Sequence, residues 1–249
     1  MNDALFHTVN TFNPISLDEM NSVALMKRTD TKYIINISSL PDVLGKLLES
    51  YKVLEINGRR IMNYSSLYLD TKEFKFYHDH HNGRVNRTKI RQRKYVDSDL
   101  TFLEIKKKNG KGETNKFRIK IDDFETELSE ESKKYISDIT DENYNLQTSL
   151  WNSFNRITLV NLEENERVTI DLNLAYSLKD KEKKLTKIVV IELKQSRFDR
   201  KSLVVKVLKS IGHNPYSISK YCIGVANLHQ NLKHNMFKPK LLKINKIAT

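Results

Sequence analysis

TKIRQRKY (88–95), FLEIKKK (102–108) and KFRIK (116–120) follow one another closely, with Asn109-Gly110-Lys111-Gly112 between the last two as a hairpin connection. In a strand, residues two apart point to the same side. Lys89, Arg91 and Arg93 therefore share one face, Glu104, Lys106 and Lys108 share the next, and Lys116, Arg118 and Lys120 share the third. Apolar residues often take the alternate positions, as Ile105 does between Glu104 and Lys106. A half-exposed sheet with polar residues toward water would also alternate in this way, but it would carry more Thr, Ser and Glu. Three neighbouring strands aiming cations the same way predict a sheet closed into a barrel whose interior is charged. Stacked guanidinium groups repel one another unless anions lie between them, and the planar fork of Arg matches phosphate.

The spacing recurs from Arg167 to Asp171 in RVTIDLNL (167–174) and in Glu192-x-Lys194, with Leu193 between. Around these segments, strands are predicted over 26–37, 61–70, 84–96, 100–108, 113–122, 153–162, 165–177 and 186–195. Helices are predicted over 16–25, over 129–151 with a break near Asp141, over 199–211 ending at Gly212, and over 217–232. A further helix opens at Ser38-Ser39-Leu40-Pro41, with Ser as cap and Pro in its first turn, and runs to about Ser50. Residues 72–81 fit neither period. Many long strands with few intervening helices argue against a doubly wound parallel sheet. The expected class is α+β, a closed antiparallel β-barrel tunnel with a basic interior and helices packed outside. The expected organisation is an N-terminal segment (1–24), a tunnel domain (25–232) and a solvated basic C-terminal tail (233–249).

The 249 residues are 30% charged and 39% hydrophobic, which suits a soluble protein with a modest core. A formal net charge of +12 points to an anionic partner: nucleic acid, phosphate compounds or an acidic membrane surface. Cys222 is the sole cysteine, so no internal disulfide is expected, and it reads as packed rather than nucleophilic. The N-terminus lacks the basic-then-apolar pattern of a secretory signal, and no apolar run is long enough to span a bilayer, so the expected location is cytoplasmic. There is no phosphate-binding Gly-x-x-x-x-Gly-Lys loop and no kinase signature. The cluster His78-Asp79-His80-His81, without supporting cysteines, reads as a loop or helix end rather than a zinc site.

Glu192 follows the buried-strand run Ile188-Val189-Val190-Ile191. A carboxylate there needs a cationic partner or a metal. Magnesium and manganese take oxygen ligands and leave positions for phosphate, and Asp171 and Glu104 are candidate helpers.

Taken in order, RTDTKY (28–33), SSLYLDT (65–71), KIRQRKY (89–95), LEIKKK (103–108), KFRI (116–119), FNR (154–156), RVTIDLNL (167–174), IELK (191–194) and SISKYCIGV (217–225) resemble the VTC domain. This is the polyphosphate polymerase domain of the vacuolar transporter chaperone family, among the triphosphate tunnel metalloenzymes and relatives of the CYTH proteins. The resemblance spans about residues 25–230. It implies a tunnel of antiparallel strands in which ATP and polyphosphate react with manganese or magnesium as cofactor. The expected catalytic residues are Lys220, Arg91, Arg93 and Arg156. The expected substrate-binding residues are Lys32, Lys106, Lys116, Arg118, Arg167, Lys194 and Ser219. Glu192, with Glu104 and Asp171, would hold the metal. Nucleic acid is then the less expected partner, and the oligomeric state is left open.

Two segments depart from the related patterns. Tunnel enzymes often open with Glu-x-Glu-x-Lys, where this chain has Arg28-x-Asp30-x-Lys32; Phe154 stands where VTC domains have Tyr. No SPX-like regulatory segment is seen, so a free-standing, bacterial-type form is expected. A triphosphatase of the same fold and a non-catalytic binder of polyphosphate or RNA are the competing expectations.

Overall fold

The computed structural model describes residues 3–21, 29–111 and 113–249, so Arg28 and part of the helix predicted over 16–25 lie outside the described residues. Eleven strands are described: β1 (Asn13–Ile15), β2 (Thr29–Asn36), β3 (Lys52–Leu54), β4 (Met62–Thr71), β5 (Arg87–Tyr95), β6 (Leu100–Lys108), β7 (Thr114–Ile121), β8 (Leu146–Asn161), β9 (Glu166–Leu178), β10 (Lys181–Leu185) and β11 (Ile188–Gln195). The helices are α1 (Asp3–Thr11), α2 (Leu17–Asn21), α3 (Leu40–Gly45), α4 (Lys75–His81), α5 (Glu130–Thr140), α6 (Leu203–Ser210), α7 (Lys220–Leu228) and α8 (Lys238–Ala248). None of the described helices is long and apolar enough to cross a membrane.

The strands form one large sheet in the order β2-β11-β9-β8-β4-β5-β6-β7, every neighbouring pair antiparallel. The expected closure into a barrel is not shown, because β2 and β7 are the two ends of this path and are not paired among the described residues. The 213–216 segment meets β2 instead: the Tyr216 N–H donates to the Lys32 carbonyl at 2.6 Å.

Alternation along each strand separates two environments. On one face of β2, β8, β9 and β11, Tyr33, Ile35, Ile157, Leu159, Ile170 and Ile191 pack under α1, α3 and α6. On the corresponding face of β4, β5 and β6, Leu67, Ile90, Leu103 and Ile105 pack with Ile136 of α5. The opposite face curls inward. One end of it is apolar, with Ile34, Leu150, Phe154, Leu174 and Tyr176 packed against α7. The other end carries the charged residues.

Several elements differ from expectation. The helix predicted over 129–151 ends at Thr140, because Asp141 takes a left-handed conformation (φ 59°), and the chain is already β8 from Leu146. The helix predicted from Ser38 begins as a 3-10 turn, Ile37–Ser39, capped by Asn36; Ser39 makes no capping bond. Residues 72–81 resolve into α4, whose first turn is held by Asp70, an acceptor from the Phe76 and Tyr77 N–H groups at 2.9 and 3.0 Å. The 233–249 stretch is not wholly solvated, since it forms α8 and buries Phe237 and Ile244.

Candidate active site

The inward charged face encloses a cavity of about 630 Å³. Strand register sets its composition. Lys89, Lys106 and Lys116 lie side by side across β5, β6 and β7, and so do Arg91, Glu104 and Arg118. Directly opposed side chains in an antiparallel pair are only about 5 Å apart at Cβ. Both end strands contribute: Asp30 and Lys32 come from β2, and Lys116 and Arg118 from β7. In all, eleven Lys or Arg side chains line the cavity against three carboxylates, an excess of eight positive charges. The whole chain carries +12, so most of its net charge faces this space.

The carboxylates near the cavity are held by cations. Glu104 accepts from Arg91 Nε at 2.7 Å. Burial favours its neutral form, but Arg91, Arg93 and Lys106 outweigh that and hold its pKa at about 2. Glu192 meets Lys194 at 2.6 Å and Lys32 at 3.1 Å, both contacts falling on Oε1. Burial again opposes ionisation, yet Lys194 and Lys32 keep Glu192 well below the usual carboxylate range. Lys194 is pushed down to about 8 by burial, which Glu192 and Asp30 only partly offset. Arg156 grips Asp171 with two parallel bonds of 2.6 and 2.8 Å, and Lys220 bonds the same carboxylate.

On the other side, the cations crowd one another. Lys106 is driven well below its ordinary value, first by Arg91, then by burial, Arg93 and Lys116. Lys89 is lowered by burial and donates to Ser219 Oγ at 2.9 Å. Ser219 caps α7 by accepting from the Cys222 N–H at 3.3 Å, which sets Lys220 at the first turn. Gly224 brings α7 close to the sheet; a Cβ there would collide with Leu150 and lie 2.6 Å from Tyr176 Cδ1. Tyr221 donates to Asp70, tying α7 to the start of α4.

Of the expected site residues, Lys32, Arg91, Arg93, Glu104, Lys106, Lys116, Arg118, Arg156, Glu192, Lys194, Ser219 and Lys220 all line this one cavity. Arg167 shares the sheet face and stands level with Lys194, but it is not among the lining residues and its guanidinium approaches Met20 Sδ at 3.8 Å. The three expected metal ligands do not form a cluster: among the described residues no group of three or more Asp, Glu, His or Cys side chains is placed to hold an ion. Asp171 has both oxygens engaged by Arg156 and Lys220, so it anchors cations instead of offering an open ligand.

Sequence reading missed Tyr64 and Tyr68. Arg91 donates to Tyr68 Oη at 3.2 Å. Tyr64 stacks on Phe154 with centroids 5.1 Å apart, and Arg156 lies over both rings at 5.0 and 5.2 Å. Lys220 also covers Phe154, at 4.8 Å, so Phe154 serves as an aromatic floor for cations. The period of two in Tyr64-x-Ser66-x-Tyr68 was the available signal. His80 also lines the cavity and meets Cys222 Sγ at 3.1 Å.

A large antiparallel sheet thus borders a cavity lined mainly by cations, a surface whose chemistry suits anions. The VTC domain family matches residues 27–229, and the chain belongs to that family. Its fold is that of the CYTH-like tunnel proteins. HpAC1 from Hippeastrum, named as an adenylyl cyclase and described as having a dominant triphosphatase activity, superposes with a TM-score of 0.50 at 16% identity, over 85% of this chain and 99% of that one. A Vibrio parahaemolyticus protein named as an adenylate cyclase gives 0.48 at 10% identity, over 79% and 97% of the two chains. No curated protein sequence matches.

Proposed function

We propose that the protein is a polyphosphate polymerase, which transfers the terminal phosphoryl group of ATP to a growing polyphosphate chain. The observation that carries this reading is the cavity with its excess of eight positive charges, framed by a family match over residues 27–229. A terminal oxygen of the chain attacks the γ-phosphorus, the bond from that phosphorus to the β-phosphate oxygen breaks, and ADP leaves with the electron pair. The chain grows by one unit.

Such a step needs alignment and charge neutralisation more than covalent catalysis. The Lys89, Lys106 and Lys116 row, with Lys32, Arg118 and Lys194, would hold phosphate oxygens. Arg91, Arg93, Arg156 and Lys220 would stabilise charge on the moving phosphoryl group. Asp171 has a positioning role, fixing Arg156 and Lys220 against each other.

Transfer is favoured over hydrolysis by the state of the carboxylates. Water must lose a proton to a base, whereas a phosphate chain end is already ionised. The three carboxylates lining the cavity face cations, and Glu104, with a pKa of about 2, is a weak base. Hydrolysis of tripolyphosphate or a nucleoside triphosphate is the second reading, favoured by the fold shared with HpAC1.

The chemistry of Glu192 fits manganese or magnesium. Its ion pairs fall on Oε1, and these metals are commonly held by one or two carboxylates with the rest of the shell from water and substrate phosphates. A metal held there by Glu192 would supply positive charge to offset that of the phosphates. Incubation of the purified protein with ATP and manganese, followed by gel analysis and by assay of ADP and orthophosphate, tests the proposal. Chains with matching ADP are expected. Orthophosphate without chains would move the assignment to a triphosphatase, and no turnover at all would leave only a binder.

A further inference from the structure

Asp199 is the last acidic residue of the chain; residues 200–249 hold ten Lys or Arg and no Asp or Glu. Part of this charge is organised on α8, which lies beyond the stretch 27–229 matched by the family. α8 packs beside β2, where the Asn36 side chain donates to the Ile247 carbonyl at 2.6 Å. Lys240, Lys243 and Lys246 are spaced three apart, so they are neighbours along one side of the helix and span about 9 Å.

This row is joined to the cavity. Lys240 Nζ donates to the Ser217 carbonyl at 2.5 Å, and Ser217 lines the cavity. Lys240 and Lys243 both sit against the Tyr216 ring, at 5.9 and 4.1 Å. The Tyr216 N–H in turn holds the carbonyl of Lys32, itself a cavity residue. The charge of Lys240 also reaches His80 in the cavity wall, where it adds to the burial that keeps the imidazole neutral.

We propose that Tyr216 and the lysine row of α8 form a second, exterior polyphosphate-binding segment that takes up the chain beside Ser217, where it leaves the cavity. The proposal rests on the phosphate reading of the cavity, but not on polymerase activity. An isolated basic helix is more often a solvated face. Here the continuity with the cavity favours an anion long enough to occupy both sites. An acidic membrane surface is the competing partner, since Leu242 and Met236 are exposed on the same region.

Binding of tripolyphosphate and of long-chain polyphosphate to the full chain, measured by calorimetry without ATP at two salt concentrations, tests it. K243Q/K246Q keeps the Lys240–Ser217 bond and so guards against a folding defect. We expect its long-chain affinity to fall about tenfold, with a flatter salt dependence, because fewer counterions are exchanged. Tripolyphosphate affinity should barely change, and K243R/K246R should behave as the parent. Equal losses for both ligands, no loss for either, or a loss seen only with phosphatidylserine vesicles would overturn the proposal. A protein that binds both ligands but makes no chains from ATP would remove the polymerase reading and leave this one standing.

Discussion

Lys106 is held among Arg91, Arg93 and Lys116 in a setting that a bound anion would relieve. Lys194, pushed down to about 8 by burial, gives the cavity a measurable pH dependence. Below that pH it is charged and attracts phosphate; above it the free site loses a cation, and binding must take up a proton. Affinity for tripolyphosphate should therefore weaken as pH rises through about 8, with proton uptake visible in calorimetry across buffers. A flat affinity across that range would remove Lys194 from the contact set. Glu192→Gln should lower turnover at least about 100-fold while circular dichroism and Tm remain near the parent. Metal-dependent turnover unchanged in that variant would exclude Glu192 as the metal carboxylate. For Lys220→Ala a loss of about 10²–10³-fold in kcat is expected, larger than any effect on KM.

At the scale of elements, α7 sets Ser219 and Lys220 in the cavity wall, and its close approach to the sheet depends on Gly224. Gly224→Ala places a methyl group against Leu150 and Tyr176 and should cost about 1–3 kcal/mol of stability. By shifting Lys220 it should lower activity more than thermal unfolding alone explains; a Tm and rate equal to the parent would show that α7 has room to move. The period of two made β5, β6, β7, β9 and β11 legible, because each pairs charges on one side with a packed side on the other. Ten of the twelve expected residues that line the cavity lie on strands, whereas Ser219 and Lys220 open α7. Other elements were hidden for physical reasons. Lys181-Glu182-Lys183-Lys184 reads as solvated charge, and becomes β10 only by pairing with β9. Leu146–Trp151 continues a helical-looking stretch, and only the left-handed turn at Asp141 separates it from α5. The tail is rich in lysine, and the burial of Phe237 and Ile244 depends on a sheet assembled from distant residues. Arg167, expected from the family resemblance, and Asp171 share the charged face, but Arg167 approaches Met20 and Asp171 holds Arg156 and Lys220, because periodicity gives the face of a side chain, not its partner.

For the molecule as a whole, concentrating an excess of eight positive charges in one cavity costs stability that a bound polyanion returns. At a ligand concentration 100-fold above Kd, linkage gives about 2.7 kcal/mol, which for a chain of this size is roughly 5–10 °C in Tm. Tripolyphosphate should produce a rise of that order by scanning calorimetry, shrinking with added salt; no rise would argue against a polyanion site. Transfer from ATP to a phosphate chain can be followed with ATP radiolabelled at its γ-phosphate, manganese and unlabelled tripolyphosphate as acceptor. Label should appear in chains longer than the acceptor, in amounts matching the ADP formed. Label recovered only as orthophosphate would rule out the polymerase reading.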